Sequence, residues 1–553
     1  MRRHETAVSV AFVAAVLGAL SAPPPDARAG QPDVIDIGAR RELFVDRQLI
    51  DRLAGVELRL HPPQRAETVL RFDQPWEGPT CAYVTVFQDG DRFRMYYRGS
   101  GSAAAPEITC YAESTDGIVW TRPALGLFEW NGSKDNNIVW HHGYGSHNFT
   151  PFKDARPGVP DGQRYKALGS AARGTRGLVA FVSPDGLHWQ PLRDEPVLTK
   201  GAFDSQNLAF WDARREKYVA YYRIFTDGVR AIATAESDDF VTWTDPVPIE
   251  LDGPAEHFYT NATTPYFRGP HYYFAFPKRF VPGRKRLAEP SESGISDAVF
   301  LSSRDGRRFD RTFPEALLRP GPDERNWGDR STMVAWGLVP TAAGEMSIYF
   351  SQHYRHGSHH LSRGVFRVDG IASARAGAAG GELVTRPIRF DGERLRLNYA
   401  TSAAGSVQVE LQTPDGQPIA GFALADSEPL YGDALDEPYS WKSGADVSKL
   451  AGQPVRLRFI LKDADLYAYR FAAPGTELSE PGSVADELGL KLLHQLRDEM
   501  ATASDARHHR PDETTPHSTY RNSFAFNSAW QRSASAVGGT LSCESPSLAA
   551  AAR

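Results

Sequence analysis

The sequence predicts an all-β fold, in which a five-bladed β-propeller (residues 41–373) is followed by a smaller β-sandwich domain (residues 382–471). Three observations lead to this prediction: a short phrase recurs, an aromatic-rich run precedes each copy, and the copies are unevenly spaced. Repeats of a supersecondary unit over tens of residues indicate a solenoid, an array or a propeller. The uneven spacing favours propeller blades joined by loops of variable length.

The recurring phrase is close to Ser-x-Asp-Gly-x-x-Trp. Its copies are AESTDGIVW ending at Trp120, VSPDGLHW ending at Trp189, AESDDFVTW ending at Trp243, SSRDGRRF ending at Phe309, and the shortened FRVDGIASA from Phe366. Asp and Gly favour a reversal of the chain, and the aromatic residue that follows is suited to packing between sheets. We therefore interpret the phrase as part of the scaffold rather than as an active site.

Each copy, the shortened one included, is preceded by a run rich in Tyr and Phe. These runs are FRMYYRG from Phe93, RYKALGS from Arg164, KYVAYYRIF from Lys217, HYYFAFPKRF from His271 and EMSIYFSQHY from Glu345. Aromatic and β-branched residues in short runs bounded by Gly and Asp are typical of strands. Five such runs predict five blades.

The remainder of the chain changes in character. Residues 382–471 alternate apolar and polar positions between hairpin signals but lack the repeated phrase, which predicts the β-sandwich. Residues 483–500 have a capping box and an apolar face, which predict an isolated helix. Residues 501–553 contain few apolar positions, which predicts a disordered tail.

The first 29 residues have the layout of a secretory signal peptide. Arg2 and Arg3 precede an apolar run over residues 7–20, and small residues suitable for cleavage follow. This pattern predicts an exported protein, periplasmic or secreted, with no stable membrane span after cleavage. An uncleaved anchor is the alternative.

Composition restricts the partners. The 553 residues carry a formal net charge of −6 with both signs interspersed and no basic stripe, which argues against a nucleic-acid partner. Three cysteines do not form a metal-binding pattern, and we predict neither a metal nor a cofactor. The oligomeric state is left open.

Functional residues are predicted where the first strand of each blade begins, because those strands line the centre of a propeller. Aligning the five first strands brings carboxylates of several blades to one end, as cleavage of a glycosidic bond requires. The candidate catalytic residues are Glu77, Asp204, Glu256 and Asp329. The candidate residues for binding sugar hydroxyls or stacking on a sugar ring are His147, Asn148, Gln206, Asn207, His257, Asn261, Trp327 and Arg330.

The phrases at residues 114–120 and 183–189, with a predicted β-sandwich after the blades, resemble the five-bladed propeller glycoside hydrolases, the clan of families 32, 43 and 68. The domain order is similar to that of family 32. The resemblance implies a carboxylate triad, to which Asp204 and Glu256 correspond best by position in a blade. The family 32 motif Asn-Asp-Pro-Asn-Gly is absent, so this correspondence rests on position alone.

These observations predict an exported glycoside hydrolase that cleaves oligo- or polysaccharides with a pair of carboxylates, so a carbohydrate is the expected partner. Two alternatives stay open. A propeller that binds carbohydrate without cleaving it would show binding and no turnover. A sialidase-like enzyme is suggested by the Asp-Gly turns, although no arginine triad is evident in the sequence.

Overall fold

The computed structural model describes residues 33–99, 106–289 and 294–473. Within these ranges the chain is built of strands, and its helical turns are limited to Asp161–Gln163, Glu324–Asn326, Leu424–Asp426 and Ser448–Leu450. The prediction of an all-β chain is confirmed. The predicted signal peptide, the helix over 483–500 and the tail over 501–553 lie outside the described residues. Among the described residues, no helix is long and apolar enough to cross a membrane.

Three sheets follow one another along the chain, and each has four antiparallel strands in sequence order. Sheet one contains Ala82–Asp89, Arg92–Gly99, Ile108–Ser114 and Ile138–Trp140. Sheet two contains Gly145–Lys153, Tyr165–Ser170, Leu178–Ser183 and Gln190–Pro191. Sheet three contains Leu208–Asp212, Lys217–Thr226, Val229–Ser237 and Val247–Pro248. The aromatic-rich runs form the second strands, which are buried by neighbouring sheets.

Sheet four is divided. Thr264–Tyr266, Gly269–Ala275 and Leu301–Ser303 form one ladder, and His257–Phe258, Lys278–Val281 and Ile295–Ala298 form another. Pro277 lies at the division and cannot donate a ladder hydrogen bond, so the long aromatic run breaks there into two strands. Glu250–Leu251 and Arg308–Phe309 pair in parallel nearby.

Sheet five is completed by a strand from the other end of the chain. Val339–Ala342, Glu345–Gln352 and His360–Arg367 follow in sequence order, and Gln64–Arg71 adds to them as the outermost strand. The residues that lead into sheet one are therefore hydrogen-bonded to sheet five. This pairing joins the beginning and the end of the run of five sheets.

Neighbouring sheets are connected by buried polar contacts. An Asp at the end of a first strand accepts a hydrogen bond from a Tyr in the second strand of the next sheet. These pairs are Asp89 with Tyr165, Asp154 with Tyr218, and Asp212 with Tyr273. Tyr266 of sheet four bonds to Asp369, which follows sheet five, and the backbone of Trp336 exchanges hydrogen bonds with Val84 and Val86 of sheet one. The contacts therefore run in a cycle through all five sheets.

The recurring phrase forms a turn after the third strand. Asp116 accepts hydrogen bonds from the backbone N–H groups of Ile118 and Val119, and Gly117 occupies the left-handed region at φ +72°. The carbonyl of Gly117 accepts from the hydroxyl of Tyr349 in sheet five. In the copies at residues 183–188, 237–242 and 303–308, the serine and the aspartate of the phrase each accept a hydrogen bond from a backbone N–H group of the turn. The phrase thus ties one sheet to the next.

A further sheet of eight strands has its own apolar core. It is built on the long strands Arg394–Gln412 and Arg456–Ala472, which pair with each other, and on Ala372–Ala376, Gly381–Thr385 and Asp433–Pro438. Its remaining strands come from the beginning of the chain: Glu42–Leu43, Ile50–Ala54 and Val56–Leu60. Ile35–Gly38 and Ile388–Phe390 form a separate parallel pair. Residues before and after the five sheets therefore fold together.

Candidate functional site

Three tyrosines from different sheets, Tyr83, Tyr259 and Tyr354, belong to one small buried group. The hydroxyls of Tyr83 and Tyr259 lie 2.8 Å apart, and both lie within hydrogen-bond distance of the backbone carbonyl of Asp204. Tyr354 packs into the same small buried group. Tyr83 has φ +54°, which is unfavourable for an aromatic residue and is maintained by the contacts around it. We call Tyr83, Tyr259, Tyr354 and the charged side chains that contact them the central cluster.

Two predicted carboxylates approach the central cluster from different sheets. The side chain of Asp204 is 72% exposed and forms an ion pair with Arg223, whose guanidinium carbon lies 5.0 Å from the centre of the Tyr259 ring. The side chain of Asp329 is only 13% exposed and pairs with Arg330 at 3.5 Å. Arg330 in turn lies 5.3 Å from the centre of the Tyr259 ring. Asp204, Asp329 and Arg330 are thus gathered around one aromatic ring.

A third carboxylate, Glu107, was not found by sequence analysis. It lies 2.8 Å from Nδ1 of His147 and 3.2 Å from Arg98, which packs over Tyr83. Burial raises the pKa of Glu107, but the hydrogen bond from His147 and the charge of Arg98 outweigh it and hold the pKa below its usual value. Glu107 precedes the third strand of sheet one, so an alignment of first strands does not reach it.

His147 and Asp204 line an open groove of about 350 Å³ between sheets two and three. Its polar wall includes Ser170, Thr175 and Arg176. A volume of this size lies within the range of small-molecule sites and suits one or two sugar rings. Trp327 and Asp329 line a second pocket, of about 10 Å³, which has room for roughly one water molecule. The groove is therefore the better candidate for a saccharide.

The structure does not bring Glu77 or Glu256 to the central cluster. Glu77 is buried, accepts a hydrogen bond from Tyr97 and pairs with Arg122 at 2.9 Å. Burial raises the pKa of Glu77, and the charge of Arg122 only partly opposes this. Glu256 pairs with Arg279 at 3.2 Å and with Arg311. Each carboxylate is held by arginines of its own, which an alignment of strand starts cannot reveal.

The predicted sugar-binding amides are buried and bond to the backbone. Asn148 and Asn207 both donate to the carbonyls of Phe203 and Ser205. Gln206 donates to the carbonyl of Val84 at 2.9 Å. Together these three amides fix the segment that carries Asp204, so the structure gives them a positioning role.

Asn261 and His257 also make contacts away from the groove. The amide of Asn261 donates to the carbonyl of Tyr221 at 3.4 Å. The ring nitrogen Nδ1 of His257 accepts from the backbone N–H of Arg230, and burial lowers the pKa of this histidine. Of the eight predicted binding residues, His147, Trp327 and Arg330 therefore remain beside the carboxylates of the central cluster.

Comparison with known proteins adds distant likenesses. No family model matches the chain. Over 153 residues the chain is 26% identical to uncharacterized proteins from two strains of Mycobacterium tuberculosis, CDC 1551 and H37Rv. The match covers 26% of this chain and 46% of each relative, so the chain spans about half the length of the curated relatives it matches.

Several solved structures are similar at low levels. A glycoside hydrolase is 13% identical, with 55% of this chain and 92% of that chain covered and a TM-score of 0.40. A member of the GH130 family of mannoside phosphorylases is 15% identical, with coverage of 56% and 94% and a TM-score of 0.34. An N-acetylgalactosamine deacetylase from F. plautii is 15% identical, with coverage of 60% and 93% and a TM-score of 0.33. At these levels the assignment of function rests on the residues of the chain itself.

Proposed function

We propose that the protein is a carbohydrate-active enzyme, a glycoside hydrolase whose site is the central cluster and the adjoining groove. The observation that carries this proposal is that Asp204 and Asp329, which precede the first strands of sheets three and five, pair with Arg223 and Arg330, and both arginines pack on the ring of Tyr259. A pair of carboxylates is what glycosidic bond cleavage requires. The groove beside Asp204 supplies space for the sugar.

We further infer that the five sheets are the blades of a propeller. The cyclic run of contacts between neighbouring sheets and the closure of sheet five by Gln64–Arg71 support this arrangement. Membership of the clan of glycoside hydrolase families 32, 43 and 68 is part of the same proposal. In a propeller the first strands surround the axis, which accounts for charged residues of several sheets meeting at one place.

The two carboxylates differ in a way that suits separate roles. Asp204 is mostly exposed and has one arginine partner, so a ligand in the groove can reach its carboxylate. Asp329 is already enclosed and has two arginine partners, Arg330 and Arg355. We therefore assign Asp204 as the general acid and Asp329 as the base or nucleophile.

Release of reducing sugar from a panel of oligo- and polysaccharides tests this proposal. Asp204→Asn and Asp329→Asn should each lower the rate by at least about 100-fold, because each removes a group that transfers a proton or attacks the sugar. Asp245→Asn is a matched control: Asp245 is 78% exposed and pairs with Lys200, as Asp204 pairs with Arg223, but it lies outside the central cluster. Near wild-type rates in both cluster variants would refute the proposal.

The competing function is carbohydrate binding without cleavage. It is favoured by the arginine partners of all three carboxylates, since each carboxylate is already engaged in an ion pair within the protein. Saturable binding of a polysaccharide with no detectable product after prolonged incubation would select this function over hydrolysis.

Export is part of the proposal and rests on the sequence of residues 1–29. Expression of the full chain in a Gram-negative host should place the processed protein in the periplasm or the medium. A variant that begins at residue 30 should stay in the cytoplasm. Equal distribution of the two forms would contradict export.

A further inference from the structure

Three basic side chains surround the ring of Tyr259. The guanidinium carbons of Arg223 and Arg330 lie 5.0 and 5.3 Å from its centre, and Nζ of Lys278 lies 4.2 Å from it. Contact with an aromatic face stabilises each cation. Positive charges this close repel one another, however, and more strongly in a buried site than in water. The arrangement is therefore costly unless negative charge is supplied.

The carboxylates of the site do not match these cations in number. Asp204 pairs with Arg223, while the carboxylate of Asp329 is shared by Arg330 and Arg355. Lys278 donates to the backbone carbonyl of Asp329 at 2.7 Å, and among the described residues no carboxylate lies within salt-bridge distance of it. Because Asp329 faces two guanidinium groups, positive charge remains in excess around the Tyr259 ring among the described residues.

Arg98 extends the positive region to the neighbouring ring of Tyr83, 4.9 Å from its guanidinium carbon. It shares Glu107 with His147. The Nε atoms of Arg98 and Arg223 are buried and, within the described part of the chain, have no hydrogen-bond partner. Buried guanidinium N–H groups without an acceptor are unfavourable, so two donors at this site are unsatisfied.

The positive region is local. The whole chain carries a formal net charge of −6, so long-range attraction to the protein as a whole would favour cations, not anions. Beside the central cluster, the groove adds His147 and Arg176 to its wall. An anion would therefore be drawn to this site by nearby side chains alone.

We infer that the saccharide bound here carries an oxyanion substituent, a carboxylate or a sulfate ester, that contacts Arg330 beside the buried guanidinium group of Arg223. The inference rests on the proposed function in one respect, that the ligand is a saccharide. Arg330 is the accessible member, with a quarter of its side chain exposed, whereas Arg223 is almost fully buried. A guanidinium group offers paired donors that match the oxygens of either substituent.

Affinity electrophoresis in gels that contain one polysaccharide tests this inference without requiring turnover. Polygalacturonate and a sulfated galactan are the two anionic probes, and a neutral galactan is the reference. Wild-type protein should be retarded by at least one anionic polymer and not by the neutral one. High salt should weaken the retardation, because it screens the contact between charges.

Three variants locate the contact. Arg330→Gln should weaken binding of the anionic polymer by about tenfold or more, and Arg330→Lys should restore part of it. Arg325→Gln is the matched control, since Arg325 lies in the same segment but is exposed and pairs with Asp323 outside the central cluster. Matched melting temperatures exclude misfolding as the cause of a loss.

Three results would overturn the inference: no retardation by either anionic polymer, equal retardation by the neutral polymer, or unchanged binding in Arg330→Gln. Its failure is distinguishable from failure of the proposed function. Retention of an anionic polymer that is never cleaved would support the inference and contradict hydrolysis. Cleavage of a neutral polymer with no retention of anionic ones would support hydrolysis and contradict the inference.

Discussion

The hydrogen bonds between neighbouring sheets allow a sharp test within one strand. Tyr218 and Tyr222 both lie in Lys217–Thr226 and are fully buried. The hydroxyl of Tyr218 donates to Asp154 of the preceding sheet at 2.6 Å. The hydroxyl of Tyr222 has no hydrogen-bond partner among the described residues. A phenylalanine substitution therefore removes a hydrogen-bonded hydroxyl at position 218, and at position 222 a hydroxyl without a hydrogen-bond partner among the described residues.

Tyr218→Phe should lower the free energy of unfolding by about 1.5–3 kcal/mol, because the lost bond has a charged acceptor. The lower part of that range is expected, since Asp154 keeps its ion pair with Lys166 at 2.6 Å. Tyr222→Phe should be neutral or slightly stabilising, because it removes a buried donor without an acceptor. A change of this size moves the melting temperature of so long a chain by only about 2 °C, so denaturant midpoints are the better measure.

Urea unfolding followed by tryptophan fluorescence compares the two variants with the wild type. The expected result is a lower midpoint for Tyr218→Phe alone. Equal losses in both variants, or a larger loss in Tyr222→Phe, would refute the view that these tyrosine–aspartate bonds hold neighbouring sheets together.

Two further predictions concern the repeated turn and the buried lysine. Gly186→Ala should destabilise the protein by several kcal/mol more than Gly143→Ala. Both glycines have positive φ, but an added Cβ at position 186 would lie 2.7 Å from the Tyr96 hydroxyl, while position 143 has open space. Equal urea midpoints for the two variants would contradict this prediction. Burial and the charge of Arg330 hold the pKa of Lys278 well below its usual value. The folded protein therefore binds fewer protons than the unfolded chain up to about pH 10.4. Because the unfolded chain binds more protons in that window, the stability of the wild type should rise with pH there. Lys278→Met should lack this rise, and parallel stability profiles between about pH 7 and about pH 10 would contradict the assignment.

Much of the fold is predictable because its signals are local. The Asp-Gly turns and the aromatic runs each occupy fewer than a dozen consecutive residues, so the all-β class and the five second strands follow from short patterns. The strands that join the two ends of the chain are different. Gln64–Arg71 pairs with His360–Arg367, almost 300 residues away, and nothing in the sequence of Gln64–Arg71 indicates which strand it pairs with.

The candidate site was only partly predictable for the same reason. Asp204 and Asp329 precede the first strands of sheets three and five and reach the central cluster through Arg223 and Arg330, which pack on Tyr259. Glu77 and Glu256 also precede strands, but Arg122 and Arg311, 45 and 55 residues further along the chain, hold their carboxylates elsewhere. Glu107 joins the site through His147, 40 residues later. Such pairings depend on tertiary contacts that spacing does not encode.

We propose that the central cluster and its groove form the saccharide site. The most direct measurement is a crystal structure of Asp204→Asn with an oligogalacturonide bound. We expect a sugar ring in the groove beside His147, with its carboxylate within salt-bridge distance of Arg330. We also expect Asp329 to face the same ligand. A ligand bound away from Tyr259, or one whose carboxylates contact only solvent, would contradict it.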